Sequence, residues 1–312
     1  MIKKYLLLLI LFINVCLPGT ISQGLYAQEA QIFTRSDFYL RGPVKSCLVI
    51  TKYGKEEFEF NKEGILTKNL TRFNEEDYNV TYYKYSDGFL VEKRDEVYRD
   101  GTFDKQTSIA HFYAIDTTKN KVVIEDIISY AGETLERYEY HYGEDQKIQT
   151  IIRSNNEGVD ETQISYTEYK GEITEEYSLN GVIQKTIRTS YKENDKLKVV
   201  LTKQFLNGDP NRAKEKVFDK EDKLISLKEY IFDIYKNSFA LEKTSRFSYD
   251  AAGMLAKEDI KEGKSLKSLE YIYQYDKETD GNWVKQIISP ENLFKTRRIK
   301  YYEPEEVNAN KS

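Results

Sequence analysis

The stretch Phe247-Ser248-Tyr249-Asp250-Ala251-Ala252-Gly253-Met254-Leu255 decides the fold. Rings at alternate positions read as a half-buried strand. Asp and Gly then supply a tight turn, Gly by taking positive φ, and Leu opens the next strand. The unit returns along the chain. Its anchors are Phe60, Tyr85, Tyr113, Tyr140, Tyr166, Tyr191, Phe218, Tyr249, Tyr275 and Tyr302, spaced 25 to 31 residues apart. A fixed period of this size means one supersecondary unit copied many times, each too small to bury its own apolar face.

Between the anchors the pattern has period two. Tyr138, Tyr140 and Tyr142 fall on one face, and Arg137, Glu139 and His141 on the other. Such alternation, rich in Tyr, Ile, Val and Thr, is the mark of half-buried antiparallel strands. Turns follow at short intervals, among them Asn61-Lys62-Glu63-Gly64, Ser86-Asp87-Gly88, Asn180-Gly181 and Asp280-Gly281-Asn282. No window outside the first residues has helical periodicity with a capping box, and Glu291 to Arg298 reads as one more strand. The expected fold is all-β, a repetitive antiparallel hairpin meander in one long sheet, twisted, curved or partly rolled.

Four units carry a resemblance: Phe60 to Leu66, Tyr83 to Leu90, Phe247 to Leu255, and Tyr273 to Trp283. They are similar to the Tyr-Asp-x-x-Gly-x-Leu pattern of YD-repeat, RHS-type exported bacterial proteins. Middle copies depart from it, as in Tyr113-Ala114-Ile115-Asp116 and Tyr191-Lys192-Glu193-Asn194. The resemblance implies a curved or spiralling sheet that serves as a shell, a binding surface or an adhesive element. It implies no chemistry.

The ends have other roles. Lys3 and Lys4, the apolar run Tyr5 to Val15, and Leu25-Tyr26-Ala27 read as a signal peptide over 1–27, cleaved after Ala27. Lipidation at Cys16 is the rival reading, opposed by the bulk of Val15 before it. Residues 28–43 read as a lead-in, 44–303 as a single repeat domain, and 304–312 as a flexible tail. The expected location is periplasmic or extracellular, with lipid-anchored outer membrane as the less favoured option. No later segment is apolar enough for a membrane-spanning helix, which reads as no transmembrane segment.

After cleavage 45 basic and 52 acidic residues remain, well mixed, which argues against a nucleic-acid partner. Cys47 alone survives, so no internal disulfide forms, and its neighbours Val49 and Ile50 make it a small buried hydrophobe.

Raw material for chemistry is thin. His111 and His141 stand on separate units without partners for zinc, and neither a nucleophile elbow nor a phosphate loop is present. Asp276-Lys277-Glu278-Thr279-Asp280-Gly281 copies the opening of a calcium loop, but Ile287 stands where a bidentate Glu is required. No catalytic residue, metal or cofactor is expected. Asn69-Leu70-Thr71, Asn79-Val80-Thr81 and Asp116-Thr117-Thr118 match glycosylation patterns that chance also produces. Aromatics are in excess, with 26 Tyr, 15 Phe and one Trp. Most read as cross-strand packing. Tyr271, Tyr273, Tyr275 and Trp283, beside acids, read as a candidate binding surface. The expected function is non-enzymatic: an exported sheet binding a protein or glycan, with docking at its two end strands. A carbohydrate-active enzyme and a structural envelope component are the alternatives.

Overall fold

A computed structural model of the chain describes residues 32–118, 120–192, 196–276 and 281–303. The signal segment with Cys16, the tail 304–312 and most of the calcium-like loop lie outside the described residues. A 3-10 turn at Arg35–Phe38 comes first. Then follow β1 (Val44–Thr51), β2 (Gly54–Phe60), β3 (Leu66–Arg72), β4 (Tyr78–Ser86), β5 (Phe89–Arg99), β6 (Thr102–Phe103) and β7 (Ile109–Asp116). The middle of the chain forms β8 (Val122–Ser129), β9 (Thr134–Tyr142), β10 (Ile148–Asn155), β11 (Gly158–Tyr169), β12 (Glu172–Leu179), β13 (Val182–Lys192) and β14 (Leu197–Leu206). The last third forms β15 (Asp209–Phe218), β16 (Leu224–Asp233), β17 (Ser238–Tyr249), β18 (Leu255–Glu262), β19 (Ser265–Tyr275), β20 (Trp283–Ser289) and β21 (Leu293–Tyr301).

Every pairing is antiparallel between sequence neighbours, except that β5 pairs past the two-residue β6 with β7, and β1 pairs with both β2 and β21. The sheet therefore closes into a barrel of twenty strands, with β6 outside the ring. The all-β hairpin meander is as the alternation requires. Two expectations are corrected by the closure. The sheet is neither open nor partly rolled, and no end strand is left as a docking edge, because closure pairs both. The spiralling shell implied by the YD and RHS resemblance is not this architecture.

The repeat period now has a direct meaning. Nine of the ten anchors lie within the last four residues of alternate strands of the ring, from Phe60 on β2 to Tyr275 on β19, and Tyr302 directly follows β21. One period is one up-and-down hairpin, so ten periods make twenty strands.

Four turns at the anchor end share one construction. In Asn61–Ile65 the Asn61 N–H donates to the Ile65 carbonyl, Gly64 N–H donates to the Asn61 carbonyl, and the Asn61 side-chain oxygen accepts from Ile65 N–H. Asp219–Lys223 and Asp250–Met254 repeat all three bonds, and Gly143–Lys147 repeats the two backbone ones. The fourth residue is left-handed each time: Gly64 at φ 88°, Gln146 at 60°, Asp222 at 58° and Gly253 at 82°. An Asn or Asp at the first position makes this turn locally.

After these turns the strand register slips, at Leu66, Ile148, Leu224 and Leu255. A bulge leaves a ladder carbonyl unpaired. The next strand satisfies it. Tyr85 donates its hydroxyl to the Leu66 carbonyl at 2.9 Å, Tyr166 to Ile148 at 2.9 Å, Tyr249 to Leu224 at 2.8 Å and Tyr273 to Leu255 at 3.0 Å. In these four places a tyrosine thus ties a hairpin to its predecessor, a role local to any meander of this kind and silent about how the sheet ends.

Residues 33–43 form a strap at the seam where β1 meets β21. Leu66 N–H donates to the Phe33 carbonyl, and Arg35 N–H to that of Gly64. Phe38 packs on Phe58 and Phe60 with ring centroids 4.5 and 5.5 Å apart. Leu40, Val44, Cys47, Val49, Phe60 and Leu66 form one buried cluster under it. A second cluster, around Val123, Tyr140, Ile148, Ile164, Tyr177 and Ile187, runs along the middle strands.

Candidate functional site

Cross-strand register assigns every strand residue to one of two walls. In β11, Asp160, Thr162, Ile164 and Tyr166 share one wall, while Val159, Glu161, Gln163, Ser165 and Thr167 share the other and are all exposed. The better-covered wall is the concave inner one, where side chains converge, and the strap lies against it. It carries the anchors. Eight strands enclose an interior that side chains just fill, and 16 to 18 leave an aqueous channel. Twenty strands leave a wider one, and the strap at the seam is the one described segment packed against its inner wall.

The outer wall interleaves charge with apolar residues. Lys68 pairs with Glu59 at 2.9 Å, Arg137 with Asp126 at 3.2 Å and Lys228 with Glu215 at 2.7 Å, each across neighbouring strands. Leu48, Ile50, Leu70, Phe112, Ile124 and Ile287 lie between such pairs.

Charge on the inner wall is divided by sign. From β2 to β12 the inward charges are Glu56, Asp95, Glu125, Glu136, Asp160, Glu168 and Glu175, against Lys93, Arg99 and Arg153, which leaves this half net acidic. From β13 to β21 they are Lys185, Lys198, Arg212, Lys214, Lys216, Lys243, Lys267, Lys295 and Arg297, against Asp209, Glu229, Asp233, Glu258, Glu262 and Glu242, the last paired with Arg212 at 3.9 Å, which leaves this half net basic. Because consecutive strands are neighbours around the ring, one half of the wall is acidic and the facing half basic. Within the basic half Glu229 takes both Lys214, at 3.1 Å, and Lys243, at 3.8 Å. Lys216 has no acidic partner among the described residues, and burial, then neighbouring Lys214, depresses its ammonium pKa. Burial likewise depresses Lys185 against the pull of Glu175, and its Nζ sits 3.9 Å from the Tyr177 ring centroid.

The two histidines separate. His141 is on the outer wall, 3.4 Å from Glu139. His111 is on the inner wall between two carboxylates, its Nδ1 2.7 Å from Glu125 and its Nε2 3.5 Å from Asp95. Tyr113 and Tyr140 also donate to Glu125, at 3.0 and 3.2 Å, while Thr81 and Lys93 donate to Asp95 at 2.7 and 2.8 Å. Burial opposes the charge of Asp95, but the bonds from His111, Lys93 and Thr81 outweigh it and hold the carboxyl at about 2. Burial also opposes a charged His111, yet its two carboxylates raise it above the ordinary imidazole value. Both carboxylates are saturated with donors, so neither is poised to take a substrate proton. The sequence held the signal for this cluster only as alternate positions: Asp95 and His111 are diagonal neighbours on the paired strands β5 and β7, which β6 separates in sequence.

Tyr271, Tyr273, Tyr275 and Trp283 all fall on the inner wall. Tyr273 lies with its ring centroid 6.4 Å from Tyr275 and 5.8 Å from Trp283. Trp283 is 6 % exposed, while Tyr275 is 41 % exposed. Arg297, which composition alone did not single out, caps Trp283 with its guanidinium 3.7 Å from the ring centroid and donates to the Phe38 carbonyl at 2.9 Å. Asn69 and Asn79 of the glycosylation patterns point to the inner wall, their amide oxygens closed to solvent.

Comparison with known protein families gives no match, nor does any curated protein match. Among solved structures, a porin-like protein from Bacteroides uniformis aligns with 82% of this chain and 96% of its own, at 10% identity and a TM-score of 0.33. A porin-like protein from Bacteroides vulgatus aligns with 84% of this chain and 99% of its own, at 11% identity and a TM-score of 0.25. Likeness at this level transfers no function. The resemblance to YD-repeat and RHS-type proteins is set aside: no family match supports it, and the sheet is closed. The exclusion of a transmembrane segment is corrected as well. It rested on apolar runs long enough for helices, and closed barrels cross bilayers with strands. No helix among the described residues is long and apolar enough to cross, which says nothing of strands.

Proposed function

We propose that this chain is an exported, non-enzymatic β-barrel whose wet inner wall binds a hydrophilic anionic ligand. The observation that carries the reading is the basic half-wall of β13–β21, with Lys216 lacking an acidic partner in a chain whose net charge is negative. A chain of net charge −5 repels anions on average, so affinity for one demands local cations. The inner tyrosines add flat faces with hydroxyls at their wet edge, and Tyr271 and Tyr275 are the partly open members of the aromatic group. Saturation of Glu125 and Asp95 by donors supports the non-enzymatic part.

The test is titration of fluorescein-labelled dextran sulfate with the mature protein, residues 28–312, read by anisotropy against neutral dextran. Binding of the sulfated polymer alone is expected, with affinity falling as salt rises. The inner-wall variant Lys214→Ser/Lys216→Ser should weaken it at least about fivefold. An outer-wall control, Lys257→Ser/Lys285→Ser, should leave it unchanged. Equal loss in both variants, or equal binding of neutral dextran, would overturn the reading. Export is tested by cell fractionation with an epitope tag at residue 312: the mature form belongs in the envelope, and recovery from cytoplasm with the first 27 residues intact would refute it.

A further inference from the structure

Four donor atoms at the strap have no acceptor among the described residues and are closed to solvent: Arg297 Nε and Nη1, Trp283 Nε1 and the Tyr39 hydroxyl. They belong to one neighbourhood. The Arg297 guanidinium lies over Trp283, and the Tyr273 phenol between them acts electrostatically on both Arg297 and Tyr39. Among the described residues Arg297 has a single hydrogen-bond acceptor, the neutral Phe38 carbonyl. The groups that favour its charge are Cys47 and Tyr273, pushed up by burial to about 11 and about 12 and so neutral at pH 7. Burial alone drags Arg297 down to about 10.

A guanidinium taken from water without a counter-charge is costly, and each unmatched buried donor adds to that cost. Three of the four orphans can only donate. What the niche lacks, among the described residues, is negative charge carried on oxygens. We propose that the niche formed by Arg297, Trp283 and Tyr39 binds a small oxyanion, a carboxylate or phosphate group. The guanidinium offers a planar fork to two oxygens, and the indole N–H and phenol complete the set. The Phe38 carbonyl holds one arginine donor until the oxyanion replaces it. Entry therefore requires the strap to lift from Asn282, whose amide grips the Arg41 backbone through N–H at 2.8 Å and carbonyl at 2.9 Å.

Trp283 is the only tryptophan of the chain, so its emission reports on the niche alone. The mature protein is titrated with sodium acetate and with sodium phosphate, ionic strength being held constant with sodium chloride. A saturable change in emission is expected. Arg297→Met should abolish it, and Arg297→Lys, which keeps the charge but loses the fork, should weaken it at least about tenfold. Lys214→Ser/Lys216→Ser should leave it intact, which separates this niche from the ligand of the open interior. A response that is the same for every salt and never saturates would overturn the proposal. So would unchanged affinity in Arg297→Lys, which decides the matter if Arg297→Met fails to fold.

Discussion

The Tyr302 hydroxyl donates to the Phe60 carbonyl at 2.6 Å across 242 residues of sequence. This bond joins the first anchor of the chain to the last, on the seam where β21 meets β1. It is the same tyrosine-to-carbonyl tie that joins neighbouring hairpins elsewhere, used here to close the ring.

Removing that hydroxyl tests the seam without disturbing the ladder. Tyr302→Phe should cost about 1 kcal/mol, the worth of one intramolecular hydrogen bond. Urea denaturation reads it as a lower midpoint with an unchanged slope. No change would show that the hydroxyl is solvated as well without Phe60.

Asn282 is 1 % exposed and makes three bonds, two to the Arg41 backbone and one to the Tyr301 hydroxyl at 2.8 Å. Asn282→Ala leaves buried backbone groups unmatched, which costs on the order of 2 kcal/mol. The strap should become the first site of limited proteolysis, cut within residues 33–43, while the ring persists.

Gln146 occupies the left-handed fourth position that Gly64 and Gly253 hold in sister turns. A side chain there costs about 1 kcal/mol, so Gln146→Gly should stabilise the protein by up to that amount. The reverse change, Gly64→Ala, should destabilise it more, because the new Cβ would lie 2.2 Å from the Arg35 Nε. Thermal melts of the two variants should move in opposite directions.

His111 is raised in the folded state, so its contribution is full below pH 6.5 and lost as pH rises through its folded value. Asp95, held at about 2, contributes above its unfolded value near 3.9 and loses that contribution as pH falls toward 2. Stability of the native chain should therefore fall as pH rises above 6.5. His111→Gln should flatten that slope while keeping the loss in acid. The groups that face His111 are Lys93, Asp95, Glu125, Tyr113 and Tyr140. Parallel slopes in both proteins would contradict the assignment.

Much of this was legible in the residues. The spacing of Phe60, Tyr85 and their successors marks hairpin after hairpin, and the alternation in Leu135 to Tyr142 separates Tyr138 and Tyr140 from Arg137 and Glu139 onto two walls. Closure was not legible. Ile299 and Cys47 pair across 252 positions, and nothing local to either strand encodes the other. For the same reason the sign-divided inner wall was hidden: Lys214 and Glu125 are ordinary alternating charges until the ring sets them on facing halves. Likewise Arg297 looked like one cation among many, because its meeting with Trp283 and Phe38 depends on the strap crossing the seam.

Leu48 and Arg298 face each other on the outer wall of β1 and β21. Directly opposed strand residues bring their Cβ atoms to about 4.5–5.5 Å, near enough for a disulfide to form with small adjustment. In a Cys47→Ala background, the variant Leu48→Cys/Arg298→Cys should oxidise within the monomer, giving a faster-migrating species on a non-reducing gel that reductant reverses. Failure to form it, or disulfide-linked dimers in its place, would show that the first and last strands do not meet and that the sheet is not a barrel.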